Sequence, residues 1–179
     1  MKRVISSFAL LCAGIMAMPA QASATEVGTA RPFGLGLQAF EPTAVIGKLF
    51  LDRSNALDFG VGFWGYGRCY NANGPYYCDR TNQFFSLHFD YLYEQTLVQS
   101  AVVRLDWHAG GGGRLVFHSY VDSNGTRDVA LFARAPIGLD LTFRTPSWLE
   151  VYLEVAPGLW VFPPIAFDID IGLGARAYF

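Results

Sequence analysis

The strongest constraint in this chain is an alternation of period two that recurs from residue 33 to the C-terminus, unbroken by any long apolar run. Successive side chains of a β-strand point to opposite faces, so each alternating stretch reads as a strand with two unlike faces. The pattern is clearest at Leu57, Phe59, Val61 and Phe63, which oppose Asp58, Gly60, Gly62 and Trp64. Phe85, Leu87, Phe89, Tyr91 and Tyr93 oppose Ser86, His88 and Asp90. Val103, Leu105, Trp107 and Ala109 oppose Arg104, Asp106, His108, Gly110, Gly112 and Arg114. Val129, Leu131, Ala133, Ile137, Leu139 and Leu141 alternate with Arg134, Gly138 and Asp140. Leu149, Val151, Leu153 and Val155 alternate with Glu150, Tyr152 and Glu154. Phe167, Ile169, Ile171 and Leu173 alternate with Asp168, Asp170, Gly172, Gly174 and Arg176. Two weaker strands precede these, one around Phe33–Ala39 and one around Val45–Leu51 with Ile46 and Lys48 on the opposite face. The sum is eight strands in one all-β domain.

The first 24 residues stand outside this pattern. Lys2 and Arg3 precede an apolar stretch from Val4 to Met18, and Ala20-Gln21-Ala22 and Ala22-Ser23-Ala24 follow as small-residue cleavage motifs. That layout is a secretory signal peptide, too short for a spanning helix, with the cut placed after Ala24 and Ala22 as the alternative. Cys12 does not mark a lipoprotein: Leu11 precedes it where acylation wants a small residue, and it lies inside the apolar stretch. Residues 25–179 then form the single domain. Removing Lys2 and Arg3 leaves eleven basic residues against fifteen acidic ones. With no basic patch, the composition argues against a nucleic-acid partner.

After the leader is removed, Cys69 and Cys78 remain, and an even pair in an exported chain reads as a disulfide. It would staple a loop containing Asn71, Asn73, Gly74 and Pro75, worth roughly 2–3 kcal/mol on the chain-entropy model. No second cysteine pair or neighbouring histidine completes a zinc set, and no cofactor is expected.

Alternation alone leaves open which face is inside. Three features favour apolar-out, the arrangement of an eight-stranded antiparallel transmembrane barrel in a bacterial outer membrane. The polar face is rich in glycine, which suits a crowded lumen. Trp64, Tyr91, Tyr93, Trp148, Trp160 and Tyr178 fall near strand ends, where an interfacial girdle needs them. The chain also closes on Tyr178-Phe179, similar to the terminal aromatic by which such barrels are handed to the outer-membrane assembly machinery. Connections at 52–55, 94–97 and 145–147 are short, whereas 65–82 and 119–128 are long, with 41–43 and 162–164 as short exceptions. Both termini then lie on the periplasmic side. The alternative is a soluble, lipid-binding barrel with the faces reversed.

The chain resembles the small eight-stranded OmpA- and OmpX-like barrels, and more closely a family of small bacterial outer-membrane barrels of unassigned function. The stretches that carry the resemblance are Glu41-Pro42-Thr43 with Gly47-Lys48, and Asp52 to Gly60. Leu87-His88-Phe89-Asp90-Tyr91-Leu92, Pro136-Ile137-Gly138-Leu139 and Leu153 to Leu159 complete it. It implies a monomer in outer-membrane lipid with a structural or surface-interaction role through the outer loops, not a large pore.

On the expected inner face lie Lys48, Asp58, Asp90, Arg104, Asp106, Arg114, Arg134, Asp140, Glu150, Glu154, Asp168, Asp170 and Arg176. A lumen only wide enough for side chains makes these an ion-pair network rather than a path. His88 and His108, beside Asp90 and Asp106 on their own strands, are a weak metal or acid–base pattern. The enzyme alternative is a lipid A acyltransferase or deacylase, for which His118, Ser119 and Ser123 near Asp122 are the candidate residues. Ser123-Asn124-Gly125 is equally ordinary turn chemistry, and the deacylases' His-x-Ser-Asn spacing is not reproduced. Gly110 to Gly113 lacks the Lys-Ser/Thr ending of a phosphate loop and reads as a bent or crowded strand.

Overall fold

The computed structural model describes residues 27–28, 30–64, 69–70, 77–78, 83–121, 127–161 and 165–179. The signal-peptide reading of residues 1–24 lies outside them. The strands are β1 (Phe33–Glu41), β2 (Thr43–Phe50), β3 (Asn55–Trp64), β4 (Cys69–Tyr70), β5 (Tyr77–Cys78) and β6 (Gln83–Gln99). They continue with β7 (Val103–Val121), β8 (Arg127–Arg134), β9 (Ile137–Phe143), β10 (Leu149–Trp160) and β11 (Ala166–Tyr178). β8 and β9 are one wall strand interrupted at Ala135-Pro136, since both pair with β7 on one side and β10 on the other. β4 and β5 form a separate two-stranded hairpin. Each wall strand pairs antiparallel with its sequence neighbours, and β11 pairs with β1, so eight strands close into a barrel.

The stagger of that closure follows from the register. From Tyr178, Cα partners run through Gly34, Lys48, Asp58, Asp90, Gly112, Arg134 and Gly158 and return to β11 at Asp168, ten residues from the start. Eight strands with that stagger tilt by about 40° and enclose a lumen that side chains alone can fill.

Val27 and Phe179 lie at one end of the barrel with the turns at 51–54, 100–102 and 144–148, here the terminal end. The opposite, loop end carries Pro42 and the connections 65–82, 122–126 and 161–165. One expected boundary is corrected. β6 runs on to Gln99, so residues 94–97 are strand and the turn falls at 100–102. Glu94 continues the inward parity of Asp90 and Leu92, and its burial in the lumen keeps the ladder going.

The faces are inside-out relative to a soluble domain. Leu37, Phe63, Phe89, Ile137, Leu153 and Phe167 point outward and are exposed, while Lys48, His108, Arg114, Asp140 and Arg176 are buried. Of the aromatics expected in a girdle, Tyr91, Tyr93 and Trp148 are exposed, but Trp160 and Tyr178 face inward. Their parity explains this, since Tyr178 shares the face of Arg176 and Trp160 that of Glu154. Each stoppers one end of the lumen. Tyr178 packs with Val27, Phe50 and Ala56 at the terminal end, and Trp160 with Phe132 and Val116 at the loop end. The side chain of Trp64 lies outside the described residues.

Candidate functional site

The candidate site is the lumen itself. Its builders are inward residues spaced two apart, and the neighbouring strands make room for them with glycine. The His108 ring lies where a Cβ on Gly138 would sit, 2.5 Å from its Cε1 and Nε2. The Tyr152 ring covers Gly174 in the same way, with its hydroxyl 2.6 Å from the Cβ position. Gly110 and Gly112 face inward against the backbone of β6, and Gly112 would bring a Cβ against Asp90. The glycine run is therefore a close-approach surface of a strand.

All thirteen inner charges expected from the sequence are buried. They gather around two hubs. On the terminal side, Lys48 pairs with Glu94 and lies 3.5 Å from Asp140 and 3.8 Å from Glu150. Arg176 beside it pairs with Asp58, donates to Glu150 at 2.7 Å and lies 3.8 Å from Asp140. Tyr178 donates to the other oxygen of Glu150 at 3.0 Å, and the Arg176 guanidinium covers the Tyr152 ring at 3.9 Å. On the loop side, Arg134 pairs with Glu154 and reaches Asp90 and Asp170, both at 3.2 Å. Arg114 lies 3.1 Å from Asp170 and 3.8 Å from Glu41, with its cation over Phe132 and Trp160. Asp168 accepts from the Trp160 indole at 3.1 Å. Arg104 and Asp106, 2.5 Å apart, close the terminal mouth.

His108 joins the two hubs. Its Nδ1 lies 2.5 Å from Asp140 and its Nε2 lies 3.4 Å from Glu154. His88 contacts Asp58 at 3.3 Å. Both histidines thus face carboxylates on other strands, not the same-strand Asp90 and Asp106 expected from proximity in sequence. Side chains two apart on a strand stand side by side, whereas a diagonal neighbour on the next strand is reached by leaning across. Contacts now run unbroken from Glu41 through Arg114, Asp170, Arg134, Glu154, His108, Asp140 and Lys48 to Glu94.

Two inner acids escaped the sequence reading. Glu94 was hidden by the turn expected at 94–97, though its parity was already legible. Glu41 is on the wrong parity, and the structure shows why. Phe40 has φ of 76°, which turns Phe40 outward and Glu41 inward. The available signal was an inversion, an apolar Phe40 at a polar position followed by a charge at an apolar one. With these two, ten buried acids among the described residues face five buried lysine and arginine residues and two histidines.

Glu94, His108 and Asp140 each offer a ligand atom within 4.8 Å of one another, the spacing of a metal site. Lys48 pairs with both carboxylates of that group, so an ammonium already occupies the cation position.

The backbone register places Cys69 directly opposite Cys78 in the β4–β5 hairpin, while their side chains lie outside the described residues. Of the enzyme candidates, His118 and Ser119 belong to β7 but their side chains are not described, and Ser123 lies outside the described residues altogether. The chain is thus defined as a closed, eight-stranded antiparallel barrel with a charged interior. No protein-family model matches it, and no curated protein matches it.

Proposed function

We propose that this chain is a small outer-membrane barrel of the OmpA- and OmpX-like kind, acting structurally or through its loop-end surface rather than as a large pore. The observation that carries the reading is the inverted wall. Leucine, valine, isoleucine and phenylalanine dominate the outward positions along every wall strand, and the charges are inside. Such a surface is stable in hydrocarbon and insoluble in water, and a closed barrel leaves no unpaired edge for lipid to meet. The reversed faces of a soluble lipid-binding barrel would need an apolar interior, and the interior here is filled with ion pairs. Tyr91, Tyr93 and Trp148 remain as girdle residues, and Phe179, 69 % exposed, is available as the terminal aromatic for the assembly machinery. On this reading the terminal end is periplasmic, the leader ends at residue 24, and a monomer sits in outer-membrane lipid. Directly opposed cysteines on antiparallel strands suit a disulfide that staples the outer hairpin.

The deciding experiment is folding with and without amphiphile. The protein should partition into detergent and show heat-modifiable gel mobility. Monomeric, cooperatively folded protein in detergent-free buffer would falsify the membrane reading. In planar bilayers no stable large conductance is expected, because the lumen is filled. Thiol labelling of the unreduced exported protein should find neither Cys69 nor Cys78.

A further inference from the structure

Along the inner face of β6, three successive inward side chains each present a polar atom that nothing else in the lumen satisfies. Ser86 Oγ, His88 Nδ1 and Asp90 Oδ1 are buried and have no hydrogen-bond partner. The other atoms of the same side chains are engaged. His88 Nε2 lies 3.3 Å from Asp58, and Asp90 Oδ2 lies 3.2 Å from Arg134. Donation from Nε2 to Asp58 leaves Nδ1 as an acceptor, so the column offers one hydroxyl and two acceptors. A buried polar group without a partner is costly, and ordered water is the usual remedy where a polar site has room for it.

We infer that the inner face of β6 binds a short file of ordered water, running from Ser86 below the loop-end mouth to Asp90 at mid-lumen. The spacing fits. Inward positions two residues apart are about 6.6 Å from one another along a strand, and a water accepting one bond and donating another spans about 5.6 Å. The hydrogen-bond directions also close. The Ser86 hydroxyl donates to a first water, which donates one hydrogen to His88 Nδ1 and the other to a second water. The second water donates to Asp90 Oδ1. Below Asp90 the file meets Arg134 and the ion pairs around it. The loop-side half of the lumen is therefore wet along one wall.

The test is hydrogen–deuterium exchange at His88 Cε1 in D2O, read by mass spectrometry on the full chain folded in detergent. This readout does not require that the barrel's native home be a bilayer. In the wild type, His88 should exchange within about tenfold of a free imidazole, since water reaches its ring. Ser86→Val fills the first water position and should slow His88 exchange by at least about tenfold. Ser86→Ala removes the hydroxyl but leaves room for the water, so the rate should stay within about twofold of wild type. Heat-modifiable mobility checks that each variant is folded. If Ser86→Val fails that check, Ser86→Thr, which adds a methyl to the same position, takes its place. Wild-type exchange suppressed a hundredfold or more, or rates unaffected by the filling substitution, would overturn the inference.

Discussion

The terminal-side and loop-side halves of the lumen are built from the same residue types and handle them differently. On the terminal side, Lys48 and Arg176 each face three carboxylates and share Asp140 and Glu150, under a stopper of Val27, Phe50, Ala56 and Tyr178. On the loop side, Arg134 faces three carboxylates and shares Asp170 with Arg114. Unsatisfied atoms remain in both halves, at Ser86, His88 and Asp90 on β6 and at Thr142 Oγ1 and Arg176 Nε toward the terminal end. Short turns let the terminal end close tightly over its charges. The loop end is stoppered by Trp160, Phe132 and Val116. The terminal-side cations thus share two carboxylates in one cluster, as the cost of burying an unpaired charge requires.

Removing the terminal-side hub should have the largest effect. Lys48→Met strips Glu94 of the cation it pairs with and removes one of the two cations shared by Asp140 and Glu150. It should cost about 3–5 kcal/mol in reversible unfolding from lipid or detergent. Arg114→Met should cost less than half of that, because Asp170 keeps its pairing with Arg134 when Arg114 is gone. Equal losses would erase the contrast between the halves.

The wall comes next. Leu153 pairs with Leu139 and Leu173 near mid-barrel, so Leu153→Arg should cost about 2–4 kcal/mol of folding stability in bilayers. Leu105 pairs with Val98 and Leu141 close to the terminal rim, so Leu105→Arg should cost only about 0–1 kcal/mol. Asp140→Asn should leave membrane insertion intact, since it changes the lumen and not the lipid face.

A smaller effect separates crowded from open glycines. Gly138→Ala pushes a Cβ against the His108 ring and the Leu153 carbonyl and should cost about 1–3 kcal/mol. Gly111 points outward with nothing within 4 Å, so Gly111→Ala should stay within about 0.5 kcal/mol of wild type. The same unfolding assay reads both.

The smallest effect lies in the terminal-end turn at 51–54. Asp52 accepts from the Ser54 amide at 2.8 Å, and from the Asn55 side chain and amide, which together hold its carboxyl below the usual aspartate range. A depressed carboxylate stabilises the fold above its unfolded titration point and loses that contribution as pH falls through the folded one. Carboxyl-carbon NMR should therefore show Asp52 titrating below a free aspartate, and the turn amides of Ser54 and Asn55 should shift with it. A midpoint at or above the free value would show that the turn does not depend on the ionised group.

The faces of nearly every strand were legible in the sequence, because alternation is local. Whether Asp58 or Leu57 points inward follows from the pleat alone, and so do the parities of His88, Arg134 and Arg176. Alternation misleads where a local irregularity resets the parity, at Phe40 and Glu41. It misleads at Glu94 too, whose polar neighbours resemble a turn although the strand runs on to Gln99. What no local pattern could supply is height and partner. Asp140, His108 and Glu154 meet because β9, β7 and β10 are neighbours in a ring staggered by ten residues, which sets each inward residue at its own level. Lys48 and Glu94 come together across strands that are not hydrogen-bonded to each other. Side-chain direction is a property of two adjacent peptide units and is written in the sequence. Which charges share a layer depends on ring closure, a non-local sum of registers, and only the tertiary structure decides it.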